Sequence, residues 1–206
     1  MTFIQLLGWV GGVTASAMWV PQFLALIRTR DTRGLSVPIW IVYVGTTTGW
    51  LAHGVRLGQL FMILANVVGL LATLTSLVYL RRDGKLKHLW WVLGGVAFAA
   101  LLIGLDARVG SAAFGATVVT PVAITMGIQG VELMRAPRVS GVSIGAWVWQ
   151  LANQLVWGTW GLLTHEPGTI ISAIVSTVLA SYVLGWRLAR EWGVGPVLAR
   201  PEVDAA

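Results

Sequence analysis

Residues 34–54 read GLSVPIWIVYVGTTTGWLAHG, and residues 141–161 read GVSIGAWVWQLANQLVWGTWG. Laid one on the other, Gly34 meets Gly141, Ser36 meets Ser143, Trp40 meets Trp147, Trp50 meets Trp157 and Gly54 meets Gly161, with no gap. Upstream the same register sets Gln22 on Gln129, Leu26 on Leu133 and Arg28 on Arg135. Two tryptophan pairs in one register make chance a poor account. The chain therefore reads as a duplicated unit, and the rest of the sequence says what kind.

Of the 206 residues, 56% are apolar and only 11% charged. A soluble domain carries roughly 25% charged residues. So few charges cannot cover a water-facing surface, but they suit a hydrocarbon solvent. The formal charge of +6 does not point to nucleic acid, because the basic residues sit in short clusters between apolar runs. With no cysteine, disulfides, thiolate metal sites and thiol nucleophiles are excluded. The first apolar run has no basic residue before it and is long enough to span, which argues against a cleaved signal peptide.

Seven runs are long enough to cross a bilayer: roughly 3–27, 35–55, 59–80, 89–105, 111–134, 142–164 and 169–188. The eight acidic residues all fall at or beyond the end of a run. One side of the membrane receives Arg28, Arg30, Arg33, Arg81, Arg82, Lys85, Lys87, Arg135, Arg138, Arg187, Arg190 and Arg200. The other receives only Arg56 and Arg108. By the positive-inside rule the N-terminus lies outside and the C-terminus in the cytoplasm of a multi-pass cell-membrane protein. Trp90, Trp91, Trp186 and Trp192 fall at the cytoplasmic boundary, where aromatic belts anchor helices.

The expected fold class is an all-α membrane protein with seven transmembrane helices, arranged 3+1+3. The first three-helix repeat takes residues 3–82, a linker helix 83–110, the second repeat 111–190 and a cytoplasmic tail 191–206. Three spans are an odd number, so a single connecting span gives both repeats the same orientation. Parallel repeats place a solute site at their interface near mid-membrane.

Pro21-Gln22 near the end of the first run, then Arg28, Arg30 and Gly34-Leu35-Ser36, resembles the PQ-loop signature. The three-one-three layout is similar to the SWEET (MtN3/saliva) sugar transporters. The resemblance covers residues 3–190 and implies a transporter rather than an enzyme. The second repeat departs from it, since Ile128-Gln129 stands where Pro-Gln is expected.

Trp50 and Asn66 lie eight residues either side of the Gly58 turn. At 1.5 Å per residue both should sit about 12 Å below it, level with each other. An indole face beside a carboxamide suits a sugar, whose C–H face packs on the ring while its hydroxyls bond the amide. The resemblance implies that Trp50 and Asn66, with Trp157 in the second repeat, bind substrate. Position 173, in register with Asn66, is Ala173, with Ser172 beside it and Ser176 one turn on. Asn153 and Gln150, in register with Thr46 and Tyr43, are candidates to restore polarity. Packing is the competing reading for Trp50 and Asn66, and interhelical hydrogen bonding for Asn66.

Pro21 and Pro121 should bend their helices and act as hinges, with Pro38 and Gly145, in register, as two more hinge candidates. Pro38 also reads as a helix start. The glycines between Gly8 and Gly12 serve close helix packing. No carboxylate is expected deep in a span, and His53 is expected to be satisfied by the headgroup region. The mechanism that follows is facilitated, bidirectional uniport of a neutral sugar by alternating access, with no cofactor and no metal. Two alternatives stay open: transport of amino acids or other small polar solutes, and a non-transporting receptor or accessory role. The expected partners are the solute and the lipid bilayer, not nucleic acid; a homo-oligomer is left open. Paired acids or several histidines, needed by membrane hydrolases, do not occur in the runs.

Overall fold

Thr2 opens the first helix through a capping box. Its hydroxyl accepts from the Gln5 amide at 3.2 Å, and the Gln5 side-chain oxygen accepts from the Thr2 amide at 2.9 Å. Seven α-helices follow in the computed structural model, which describes residues 1–136 and 143–198, the Gln22 side chain excepted. They are α1 (Phe3–Thr29), α2 (Val37–Leu57), α3 (Leu60–Arg82), α4 (Val92–Arg108), α5 (Ser111–Arg135), α6 (Ile144–Thr164) and α7 (Pro167–Glu191). A short 3-10 turn, Leu89–Trp91, leads into α4. Arg138, Gly141, Val142, Arg200 and two of the eight acidic residues, Glu202 and Asp204, lie outside the described residues.

Five helices are long and apolar enough to cross a membrane: α1, α3, α4 with its leading turn, α5 and α7. α2 and α6 are long enough, at 21 residues each and about 31 Å, but less apolar. Thr46, Thr47, Thr48 and His53 lower the first, and Gln150, Asn153 and Gln154 the second. The outer faces of the bundle are apolar, with Leu71, Val78, Ile124, Ile174 and Val178 exposed, as a hydrocarbon solvent requires. The chain is an all-α membrane protein.

α3 packs against both α1 and α2, and α7 packs against both α5 and α6. α1 meets α6, while α4 fills the opposite side between α2 and α5. The turns recur too. Gly58 reverses the chain between α2 and α3 at φ +66°. His165, in the register that sets Gly54 on Gly161, does so between α6 and α7 at φ +53° without being glycine. A Cβ on Gly54 would stand 3.2 Å from the Ile63 nitrogen, and one on Gly161 3.2 Å from the Ile170 nitrogen.

The bundle has one end at Arg30, where α1 stops, and the other at Gly58, between α2 and α3. At the Arg30 end Arg82 donates to the Arg30 carbonyl at 2.8 Å, and Lys85 to the Thr32 carbonyl at 2.6 Å, tying two loops together. Of the described Lys and Arg residues, only Arg56 and Arg108 stand at the Gly58 end. Beyond Trp192 the described part of the expected tail is tied back to the bundle. The amides of Val197 and Leu198 donate to the Met134 carbonyl at 3.0 and 3.3 Å, one of the carbonyls left over at the end of α5.

Candidate functional site

Three glycines of α1 prepare the Gly58 end. The ring of Phe61 lies where a Cβ of Gly8 would be, the Phe61 carbonyl comes within 2.9 Å of a Cβ on Gly12, and Trp157 within 3.0 Å of one on Gly11. Only glycine lets α3 and α6 approach α1 this closely. Phe61, Met62 and Trp160 form a buried cluster there, bordered by Trp9, Trp50 and Trp157. The two tryptophans singled out in the sequence therefore reach one aromatic group. Trp157 lies 6.0 Å from both Phe61 and Trp160, ring to ring. Trp50 stands edge-on to Phe114 at 4.9 Å and to His53 at 5.5 Å.

Asn66, half-buried on α3, turns its amide onto its own helix, Nδ2 donating to the Met62 carbonyl at 2.9 Å. Asn153 is buried on α6 and meets Thr14 of α1, whose hydroxyl lies 2.8 Å from Asn153 Oδ1. That hydroxyl also lies 2.8 Å from the Val10 carbonyl, and its one proton cannot serve both. Turned over, the Asn153 amide donates to Thr14 while Thr14 donates to Val10, which satisfies all three. Trp149 adds a second tie from α6, its indole N–H donating to the Thr14 carbonyl at 3.2 Å. The remaining candidates serve the second half internally. Ser172 donates to the Gly115 carbonyl at 3.1 Å, Ala173 is buried against Gly158, and Ser176 is buried.

Pro21 lies within α1 and Pro121 within α5, both helices running on through them. Pro38 and Gly145 stand in the first turns of α2 and α6. Pro21 also lines an open cleft of about 430 Å³ with Ala17, Met18, Ala146 and Trp149. This cleft separates α1 from α6 on the Arg30 side of the Thr14–Asn153 contact.

The expectation for His53 is corrected. The ring is 0% exposed and enclosed by protein, with Nδ1 2.9 Å from Asp106 Oδ2 and Nε2 3.4 Å from Glu166 Oε2. Phe114 stacks on it at 4.6 Å. Asp106, placed by sequence beyond the fourth run, lies inside α4 at 6% exposure. Arg56 grips it with two hydrogen bonds of 2.7 Å. Glu166, also 6% exposed, caps α7 by accepting from the Thr169 amide at 2.6 Å. Burial works to raise the Glu166 carboxyl, but hydrogen bonds from His53, Ser111 and Thr169 hold it at about 2. Thr14, Phe61, Asp106, Trp160 and Glu166 were missed in the sequence. The usable signals were the register of Trp160 with His53 and the Glu166-Pro167 helix start.

No family model matches the chain. Three relatives do, each a sugar transporter SemiSWEET. The chain is 30% identical over 88 residues to that of Escherichia coli (strain UMEA 3162-1), covering 43% of this chain and 99% of the relative. It is 30% identical over 81 residues to that of Leptospira biflexa serovar Patoc, covering 39% and 95%. For the protein of Bradyrhizobium diazoefficiens the figures are 30% over 81 residues, 39% and 94%.

Proposed function

We propose that this chain, which belongs to the SemiSWEET family of sugar transporters, is itself a transporter that carries a neutral sugar down its gradient by alternating access. The observation that carries this reading is the full-length match, since 99% of a sugar transporter fits within 43% of this chain. The chain has room for two such units. The repeated helix order, α3 between α1 and α2 and α7 between α5 and α6, supports two parallel PQ-loop repeats at 3–82 and 111–190 joined by a linker span. All seven helices then cross the bilayer, the Arg30 end facing the cytoplasm. The polar residues that lower the hydropathy of α2 and α6 belong to the inner faces.

In this reading Trp50, Trp157 and Asn66 contact the sugar, with Asn153 supplying the amide that Ala173 lacks. Ser172 and Ser176 flank it. The aromatic cluster at Phe61 and Trp160 closes the Gly58 end, and the cleft beside Pro21 is the way out at the other. Pro21 and Pro121 bend as the halves rock, with Pro38 and Gly145 steering the starts of α2 and α6. Ala173, where the first half has Asn66, leaves the second half one amide poorer, which favours, as the second reading, a small polar solute other than a sugar. A counterflow assay on purified protein in liposomes, run with labelled sugars and labelled amino acids, decides between them. Exchange of a sugar supports the first reading; exchange of amino acids alone replaces it with the second.

A further inference from the structure

Nothing in the sequence places a charged cluster inside the bundle, yet one joins three elements at the Gly58 end. His53 comes from α2, Asp106 from α4 and Glu166 from the turn before α7. A neutral imidazole has one N–H and one lone pair. Here both ring nitrogens face carboxylate oxygens, at 2.9 Å and 3.4 Å, and the Arg56 guanidinium also stands 3.4 Å from Nδ1; either neutral tautomer still sets a lone pair beside a carboxylate oxygen. Only the imidazolium carries a proton on both nitrogens, one bonded to Asp106 and the other, on an Nε2 without a hydrogen-bond partner, within ion-pair distance of Glu166. Charge balance agrees. Arg56, Asp106 and Glu166 together leave one negative charge, which a proton on His53 cancels.

The other elements bring nothing that competes. α5 offers Phe114 and Ser111, both neutral, and α1 and α3 have no charged side chain at this end. Arg108, His165 and the Met1 amine are nearby in the fold but exposed. The two carboxylates lie on opposite edges of the ring and cannot converge on one metal ion. No group of His, Asp or Glu placed to hold a metal occurs among the described residues.

We propose that His53 is a proton-binding site that latches the Gly58 end: the ring takes up one proton from the solution at that end as it closes, and returns it to the same solution as it opens. The inference rests on the alternating-access reading above. Nothing crosses the membrane but the solute, because the proton enters and leaves by one door. The ring joins the first half to the second through Glu166, so losing the proton sets a lone pair against a buried carboxylate. Closure is then favoured by acid and opposed by base. One proton taken up per closure changes the closed-to-open ratio by about tenfold per pH unit, over the range in which the closed form holds the proton and the open form has lost it.

The test is solute counterflow in proteoliposomes with the same pH on both faces, from 5 to 8, for the native chain, His53→Gln and Glu166→Gln. Exchange by the native chain should slow as pH falls, by up to about tenfold per unit. His53→Gln should flatten the profile. Glu166→Gln, which keeps the ring but removes the unbalanced charge, should displace it by about one unit or more toward acid, and serves if His53→Gln does not fold. A flat native profile overturns the latch and leaves the transport reading standing; so does a native profile retained in His53→Gln. Solute accumulation driven by an imposed pH gradient overturns return of the proton to the same side. Absence of exchange at every pH removes the transport reading and the latch together.

Discussion

Gly161 repeats the contact that Gly54 makes: each lets the first turn of the following helix come so near that a Cβ would stand 3.2 Å from a backbone nitrogen. The partners, Ile63 and Ile170, are themselves matched in the register that pairs Gly54 with Gly161. A shared sequence register has here become a shared packing geometry.

Gly54→Ala and Gly161→Ala should therefore cost similar amounts. Overpacking against a backbone atom costs about 1–3 kcal/mol, offset by roughly 1 kcal/mol of helix propensity. Thermal unfolding in detergent should show a net loss of up to about 2 kcal/mol, equal for the two. A loss in one half and none in the other would separate two packings that the shared geometry makes equivalent.

Asn66→Ala is the cleanest probe of the solute site. Its amide bonds only its own helix, an interaction on the scale of about 0.6 kcal/mol, so the fold should survive. Solute affinity in counterflow should fall at least about tenfold, near 1.4 kcal/mol. Unchanged affinity returns Asn66 to packing. Trp50→Ala should abolish exchange as well, but Trp50 borders Phe114 and His53, so stability will also drop, by about 3–5 kcal/mol at most.

Glu166 should make the acid limb of stability visible. Its carboxyl is held at about 2 against 4.5 unperturbed, a depressed value. The contribution is complete above the unfolded value and fades as pH falls from 4.5 toward about 2. Its size is at most on the order of 3 kcal/mol, and smaller to the extent that solvent screens the carboxylate. Unfolding in detergent, followed against pH, should lose that stability across this window in the native chain and not in Glu166→Gln. A curve shared by both proteins would assign the acid limb elsewhere.

Uptake of the solute into proteoliposomes should proceed with neither a pH nor a sodium gradient imposed, and should stop at equal concentrations. Uptake that requires a gradient would replace uniport by coupled transport.

Much of the fold was legible because it rests on periodic or rare signals. Long apolar runs separated by arginines marked the helices, and Gly54 and Gly161, paired in the sequence register, make the same backbone approach. The glycines from Gly8 to Gly12 read correctly as packing because nothing polar accompanies them. The cluster at His53 was not legible. Asp106 is far from His53 in sequence, and an acid at the end of an apolar run reads as headgroup-facing until α4 is seen packed against α2. Nor could the tie between Thr14 and Asn153 be read, because α1 and α6 share no local pattern that sets them side by side.

The absence of cysteine allows pairs of spin labels to be placed anywhere in the chain. Val55 and Leu162, 58% and 61% exposed and in register, report on the Gly58 end; Ile39 and Ala146, also in register, report on the Arg30 end. Pulsed distance measurement on both pairs, with and without the sugar found by counterflow, tests alternating access directly. Alternating access predicts that the sugar moves the two distances in opposite senses, one end separating as the other draws together. Two distances that stay fixed, or that change together, would contradict it.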